Sequence, residues 1–279
     1  PYEFEIMITS PIIGCELNSE ASQCTLRCIT KERHLELINL IERLTKEELI
    51  DDDNEELELQ LLPPVTEDEV HSLKNALPCP IPKELDELLE TTKGMKNTPV
   101  GEMTFAPFKE AGLDSIFPSA HIIAEDACGN QWIVDFTSES RTIGPIYYLC
   151  HDPAVVVYQC SNLKEFLQSI IIYGTELSGP IADNVEAEVY EIWRDKPKSF
   201  SSKECVDSDD MELRQFAKSL KGLWYIHDLR NAKTGDGFAW GAFGADTKLK
   251  RHKELPIFAY EVSEENMGFF TSLLNMFSG

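Results

Sequence analysis

Three strand patterns follow one another between residues 131 and 158, and they constrain the fold more than any other feature of this sequence. From Gln131 to Phe136, large apolar side chains occupy every second position, as in a strand with one buried face. Ile146 to Cys150 is a second strand pattern, and Ala154 to Tyr158 is a third that is apolar on both faces. A strand of that kind must be covered on both sides, so we expect it near the centre of a sheet inside a folded domain.

Helix signals surround these strand patterns. The Thr-Glu-Asp-Glu run at 66–69 is a capping box, in which the threonine hydroxyl and the last glutamate each accept a backbone N–H of the first turn. Ile81-Pro82 opens a second helix, because proline loses no hydrogen bond there, and Gly94 is expected to cap that helix in the left-handed conformation. After the strands, Ser161 is predicted to cap a third helix that ends by Gly174. The sequence therefore predicts two helices before a β-rich stretch and one helix after it.

The two ends of the chain predict further α/β extensions. Residues 1–62 predict a small acidic β-β-α-β unit, with strands at 2–8, 23–29 and 57–61 and a helix capped by Thr30. Residues 176–279 predict helices at 185–194 and 211–220, then a three-stranded meander at 223–229, 237–243 and 256–262, and a closing helix capped by Ser263. We therefore divide the chain into units 1–62, 63–175 and 176–279.

The chain is strongly acidic, with 49 acidic and 25 basic residues and a net charge of −24. The acidity is spread along the chain, although residues 1–60 are the most acidic part, with 15 acidic against 5 basic residues. Such a chain repels phosphate backbones and anionic lipids, so we expect neither nucleic acid nor a membrane as partner. A basic protein would be steered towards it, although solubility alone also explains the charge.

The eight cysteines predict reduced thiols, because most adjoin apolar residues and a chain of 279 residues with a real core needs no disulfides. Cys24, Cys28 and His34 lack a fourth ligand at zinc spacing, and the acidic run 51–56 lacks the ligand spacing and glycine of a calcium loop. We therefore predict no metal and no cofactor. The sequence also lacks a membrane-length apolar run and an export signal at its start, so we expect a cytoplasmic protein.

Candidate catalytic residues are few. His151-Asp152 and His227-Asp228 have acid–base side chains, but neighbours on a strand point to opposite faces and form no dyad there. Asp126 and Asp135 are a possible carboxylate pair across a groove. The basic cluster at 248–253 either contacts phosphate or an acidic partner, or is a lysine-rich loop that discourages edge pairing. Nucleophile elbows, phosphate loops and dinucleotide fingerprints are absent from the sequence, which favours a protein that is not an enzyme.

Several motifs occur in a fixed order between Val65 and Gly174. They are the capped acidic helix, Ile81-Pro82, Gly94, the turn Asp126–Asn130 before a strand, and Tyr147-Tyr148 followed by His151-Asp152. In this order and spacing they resemble the SUKH superfamily, whose members include fungal coordinators of cell-wall glucan synthesis and bacterial immunity proteins. The chain departs from the family at Lys93-Gly94 and Asp126-Ala127, where Asn-Gly and Asp-Gly are common, and both changes concern turns.

The resemblance implies an α+β domain, with a curved, mostly antiparallel sheet packed against helices, and a protein that binds other proteins. It favours an immunity protein that neutralises a basic toxin, such as a nuclease, by occluding it. We expect the partner-binding residues at one end of the sheet, namely Asp126, Asn130, Trp132, Asp135, His151 and Asp152, although Trp132 is also explained by core packing. Two alternatives stay open, a regulatory or scaffold protein as in the fungal branch, and an unrecognised enzyme or small-ligand binder with a deep pocket. The oligomeric state is not predicted.

Overall fold

The computed structural model describes residues 36–51, 53–195, 199–242, 244 and 246–262. The predicted strands at 2–8 and 23–29, the Thr30 cap, three of the cysteines and the closing helix lie outside this part of the chain. Seven α-helices are described, α1 to α7, at 36–44, Glu67–Ala76, Lys83–Leu89, Leu163–Glu176, Ala187–Asp195, Ser202–Cys205 and Met211–Ser219. A single π-helical turn, Ala182–Glu186, leads into α5.

Fourteen strands form three sheets. Strands β1 to β7 are Leu49–Ile50, Glu56–Leu57, Gln60–Leu61, Gly94–Thr98, Gly101–Thr104, Ala120–Glu125 and Gln131–Asp135. Strands β8 to β14 are Ile146–His151, Ala154–Cys160, Phe200–Ser201, Trp224–Asp228, Gly237–Phe238, Leu249–Arg251 and Ile257–Glu261. The largest sheet has eight strands in the order β12-β9-β8-β7-β6-β5-β4-β3, a second has the order β10-β11-β14-β13, and β1 pairs with β2. Every ladder in these sheets is antiparallel.

Both faces of the eight-stranded sheet are buried, as the apolar pattern of β9 requires. Along each strand, alternate side chains enter different cores, because successive residues point to opposite faces. One face packs against helices, and its core includes Trp132, Val134, Tyr148, Val155, Val157, Leu73, Leu88, Phe166, Ile170 and Val189. The other face packs against the four-stranded sheet, through Ile133, Tyr147, Leu149, Val156, Phe238, Phe258 and Tyr260.

The four-stranded sheet is a second covered layer. On β14, Phe258 and Tyr260 face the eight-stranded sheet, whereas Ile257 and Ala259 face helices α6 and α7. Phe216 of α7 closes this third core together with strand residues of β11. The described chain is therefore stacked as helices, large sheet, small sheet and helices, which confirms the predicted α+β class.

The helix boundaries agree with the sequence signals, with three differences. Thr66 and Glu69 form the predicted capping box. The backbone nitrogen of Thr66 lies 2.8 Å from a Glu69 carboxylate oxygen, and the backbone nitrogen of Glu69 lies 3.3 Å from the Thr66 hydroxyl oxygen. Helix α4 is capped by Asn162, one residue after the predicted Ser161, because the Asn162 side chain accepts the Glu165 N–H at 3.0 Å. The same helix continues past Gly174 to Glu176.

Gly94 does not cap a helix; it begins β4. A Cβ at this position would lie 2.1 Å from the Met103 carbonyl oxygen, so the residue is glycine because two backbones approach closely there.

Two strand predictions were also wrong in detail. The segment predicted as one strand at 57–61 is split between β2 and β3, which belong to different sheets. The predicted meander does not form, because β12 leaves the neighbouring strands and pairs with β9, with Gly237 opposite Val157 and Phe238 opposite Val156. Strand β13, within the basic cluster, takes its place beside β14. The division into three units stays a prediction.

Candidate protein-interaction site

The Asp126 carboxylate organises the turn between β6 and β7. Its Oδ1 accepts the N–H groups of Cys128 and Asn130, both at 2.9 Å, and its Oδ2 accepts the Asn130 side-chain amide at 2.8 Å. The Tyr148 hydroxyl on β8 donates to the same Oδ2 at 3.1 Å. Four donors therefore bond this one carboxylate. They fix the shape of the turn and anchor it to β8.

Asn130 joins this turn to the turn between β8 and β9. Its Oδ1 accepts the backbone N–H of His151 at 3.3 Å and lies 3.1 Å from Nδ1 of the His151 ring. Gly129, which has a positive φ of 84°, lies beside that ring, and a Cβ there would be 3.8 Å from the imidazole Cε1. The two turns therefore form one continuous surface at the end of the large sheet, composed of residues 126–130 and 151–152, which we name the tip surface.

The tip surface combines buried supports with exposed contact groups. Asn130 is buried and Asp126 is half-buried, whereas residues 127–129, His151 and Asp152 are exposed. Burial, together with the nearby Asp126 charge, raises the pKa of Tyr148 far above its usual range. The phenol therefore stays protonated and remains a hydrogen-bond donor to Asp126 at all physiological pH values. This arrangement holds His151 in place at the surface, next to the exposed Asp152.

Trp132 does not reach the tip surface. It is 1% exposed, its ring centroid lies 4.8 Å from that of Tyr148 and 6.2 Å from that of Phe166, and its indole N–H lies 3.4 Å from Gln159 Oε1. The residue therefore packs in the core between the sheet and the helices, which was the alternative that the sequence left open for it.

Asp135 is likewise buried, at the opposite end of β7 from the turn. Its two carboxylate oxygens accept from Nη1 and Nη2 of Arg251, each at 2.6 Å, and Arg251 also donates to the Ile116 carbonyl. The side chains are 1% and 6% exposed. Asp135 joins the two sheets, whereas Asp126 bonds a tyrosine on the helix side of the large sheet, so the possible Asp126–Asp135 carboxylate pair does not form.

The structure thus brings together four of the six predicted residues, Asp126, Asn130, His151 and Asp152, and separates the other two from them. Tyr148 was missed as a supporting residue of this surface. The sequence did offer a signal for Tyr148, because it precedes His151 by three positions on a predicted strand. The strand register that places Tyr148 beside Asp126 could not be read from the sequence.

Neither histidine–aspartate neighbour pair forms a catalytic dyad. The His151 ring contacts an amide oxygen, as described above, and not the Asp152 carboxylate. His227 is buried between the rings of Phe238 and Tyr260, with ring centroids 5.0 and 5.2 Å away. Asp228 is instead paired with Arg230. In the described part of the chain, no group of three or more His, Cys, Asp or Glu side chains is arranged to hold a metal ion.

A surface cleft of about 630 Å³ lies at the start of α4, and several of its polar side chains already bond other groups of the chain. Lys164 pairs with Glu36 at 2.7 Å, and Ser161 donates its hydroxyl to Glu165 at 2.8 Å. Glu84 accepts the backbone N–H of Ile143. These polar side chains of the cleft therefore bond one another or the backbone.

The basic cluster at 248–253 is engaged with neighbouring groups of the chain. Lys248 pairs with Glu261 at 2.5 Å, Lys250 lies 5.3 Å from the Trp224 ring centroid, and Arg251 is the buried partner of Asp135. His252 and Lys253 lie 3.3 and 3.7 Å from glutamate oxygens. These contacts favour the edge-strand interpretation of the cluster over a phosphate-binding one.

No helix within the described ranges has the length and apolar character that crossing a bilayer requires. Searches of curated proteins and of solved structures gave no significant match to this chain. A family comparison did give one, and it covers residues 64–169, which include α2, α3, strands β4 to β9 and the first half of α4. The matching family is the SMI1 / KNR4 family (SUKH-1). The order of helices and antiparallel strands agrees with the resemblance found in the sequence, and residues 64–169 therefore form a SUKH-type domain.

Proposed function

We propose that this chain is a non-enzymatic, cytoplasmic protein-binding protein, and that its SUKH domain neutralises a basic toxin by occluding the toxin's active groove. The tip surface is the proposed contact site. The observation that carries the proposal is the hydrogen-bonded network of Asp126, Asn130 and Tyr148, which holds two exposed turns as one surface.

A preorganised surface favours binding because little conformational entropy is lost when a partner docks. His151 is already oriented by its contacts with Asn130, and Asp152 follows it in the same turn, so this turn can contact a partner with little reordering. Their backbone turn is also short, since β8 ends at His151 and β9 begins at Ala154. A short, ordered turn of this kind can contact the mouth of a groove on a partner protein.

The charge of the chain favours a basic partner. With a net charge of −24, the protein attracts a nuclease whose active groove is built to bind phosphate. Asp152 provides an exposed carboxylate on the tip surface that can take the place of a phosphate in that groove. Association is therefore expected to be fast at low ionic strength and to slow as salt is added.

Co-expression with toxin genes that neighbour the gene for this chain tests the proposal. We expect one of them to become tolerated, and the purified pair to form a complex at low salt. Asp152→Lys should weaken that complex at least tenfold, because it places a like charge against a basic groove.

Glu139→Lys is the matched control. It makes the same charge change on a 74% exposed side chain that follows β7, beyond the end of the sheet that is opposite the tip surface. Equal effects of the two substitutions would show that net charge, not the tip surface, determines binding. Failure of every neighbouring toxin, together with stable co-purification of several unrelated cellular proteins, would favour the regulatory or scaffold alternative.

A further inference from the structure

Among the residues that the structure describes, the outer edge of β3 has no partner strand. Strand β3 ends the strand order of the eight-stranded sheet, and its partner in the described ranges is β4, with Gln60 opposite Lys96 and Leu61 opposite Met95. The Leu62 N–H donates to the Gly94 carbonyl at 2.9 Å, which makes that position a hydrogen-bonded pair. Hydrogen-bonded and non-bonded pairs alternate in an antiparallel ladder, so the N–H and C=O groups of Leu61 point away from β4.

The side chain at this edge is also unusual for a surface strand. Leu61 is 42% exposed and is one of five large apolar residues in the described part of the chain that are exposed. Gln60 and Glu58, on the same segment, are exposed as well. An exposed leucine beside outward-pointing backbone groups is the arrangement to which an additional strand can bind.

The segment that leads into β3 is densely acidic. Asp53, Glu55, Glu56 and Glu58 are exposed, and none forms an ion pair with another residue in the described ranges. Asp51 instead accepts the backbone N–H groups of Asp53 and Glu55, at 3.0 and 2.9 Å, and so shapes the turn that presents these carboxylates.

We infer that β3 is a docking edge for an extended, lysine- or arginine-rich segment of a partner protein, which adds to the large sheet as a ninth strand. Backbone hydrogen bonds to Leu61 supply the pairing, and the carboxylates before β3 select a basic segment. The same carboxylates disfavour pairing of two copies of this chain, because two acidic segments would be brought close to each other. This edge is separate from the tip surface and does not depend on the toxin-binding proposal.

The binding site is short, because Pro63-Pro64 follows β3 and lacks backbone donors. The interaction is therefore expected to be weak and strongly dependent on salt. Weak binding suits a second contact that adds to a first one, since a linked second contact increases overall affinity without being tight by itself.

A labelled peptide of alternating lysine and valine is a suitable probe, with alternating glutamate and valine as its matched control. In fluorescence anisotropy at low salt with the full chain, we expect binding of the basic peptide only. Amide hydrogen exchange measured by NMR then identifies where on the chain the peptide binds. The Leu61 N–H should exchange at least tenfold more slowly when the basic peptide is bound, whereas the Gln60 N–H, which already bonds β4, should change little.

Two variants separate backbone pairing from charge. Leu61→Pro removes the outward N–H and should reduce peptide affinity at least tenfold, whereas Leu61→Ala keeps the N–H and should reduce it less. The triple substitution Glu55→Gln, Glu56→Gln and Glu58→Gln should weaken binding and flatten its salt dependence. Circular dichroism and the unfolding midpoint establish that each variant is folded, and Asp152→Lys should bind the peptide normally.

Three results would overturn the inference. The first is equal binding of both peptides, or unchanged binding by a folded Leu61→Pro variant. The second is slow exchange of the Leu61 N–H in the free full chain, which would mean that another part of the same chain already covers the edge. The third is protection that rises with protein concentration in the absence of peptide, which would identify a second copy as the occupant.

Discussion

Asp135 and Arg251 form a buried bidentate ion pair that joins the two sheets of this protein, with both oxygen–nitrogen distances at 2.6 Å. Asp135 ends β7 in the large sheet, and Arg251 ends β13 in the small one. The Arg251 guanidinium also lies 5.6 Å from the Phe258 ring centroid, within the core between the sheets. Polar groups of this kind fix the position of one layer on the other, because only one arrangement satisfies them.

The first prediction concerns this ion pair. Arg251→Met leaves the Asp135 carboxylate buried without its cation, and should lower the free energy of unfolding by about 3–5 kcal/mol in urea titrations. The double variant Asp135→Leu with Arg251→Met removes both charges and should recover most of that loss. If the double variant were as unstable as the sum of the single ones, the two residues would not be energetically coupled.

The second prediction concerns the support of the tip surface. Asp126→Ala leaves the donors of Cys128, Asn130 and Tyr148 without their acceptor, and should cost about 1–3 kcal/mol of stability. The amide hydrogens of residues 128 and 130 should exchange faster, as measured by NMR. Asp152→Ala is the control, since an exposed side chain without a role in the network should leave both quantities nearly unchanged.

A third prediction follows from the burial of His227. Burial lowers the pKa of its imidazole to about 3, whereas an unfolded histidine titrates near 6.5. Below pH 6.5 the unfolded chain therefore binds a proton that the folded chain does not, and stability falls by up to about 1.4 kcal/mol per pH unit as the pH decreases towards 3. His227→Phe should flatten this dependence when unfolding is measured between pH 7 and pH 5.

His121 contributes a similar dependence, because its burial lowers its pKa to about 4. Its ring accepts the Lys109 N–H at 3.0 Å and lies 3.0 Å from the Thr104 carbonyl oxygen. Replacement of His121 would therefore also remove hydrogen bonds. His227 is the cleaner test, because its Nε2 has no hydrogen-bond partner among the described residues. An unchanged pH slope in a folded His227→Phe variant would contradict the assignment.

The fourth prediction concerns Gly174 in the last turn of α4. Alanine in an open helix position is about 1 kcal/mol more favourable than glycine. At Gly174, however, a Cβ would lie 2.5 Å from Pro99 Cγ and 2.9 Å from Leu49 Cδ2. We therefore expect Gly174→Ala to destabilise the protein by about 1–3 kcal/mol in thermal or urea unfolding.

The neighbouring exposed position provides the comparison for Gly174. Thr175→Ala gains helix propensity without meeting the packed side chains, so its effect on stability should be within about 0.5 kcal/mol. A stabilising effect of Gly174→Ala would mean that α4 and β1 are less closely packed than the described contacts indicate.

The sequence predicted best what depends on neighbouring residues. The Thr66–Glu69 capping box and the alternation of β7 are local patterns, and both were identified correctly. The same alternation placed Trp132 on the correct side of its strand but could not tell which layer covers that side. The Asp135–Arg251 pair was not predictable in this way, because the two residues are 116 positions apart and meet only after the second sheet packs on the first.

In the candidate site, too, the features set by neighbouring residues were predictable from the sequence, whereas those set by strand pairing were not. The two turns that carry it were recognised from Asp126, Asn130 and the His151-Asp152-Pro153 sequence, since turn residues act on their own backbone. Their union into one surface depends on the register of β7 and β8, in which Gln131 lies opposite Leu149. A single sequence contains no direct statement of that register.

The pairing of β12 with β9 determines how much of this chain is needed for a SUKH domain whose apolar sheet face is covered. The family match ends at residue 169, yet Phe238 and Phe258, far beyond that point, cover the rings and aliphatic groups of the second sheet face. A shortened protein that stops after α4 would present Tyr147, Leu149 and Val156 to water and would leave the β9 edge open. Such a fragment would associate through this exposed apolar face. A protein captured by the fragment would then bind a surface that is buried in the native protein.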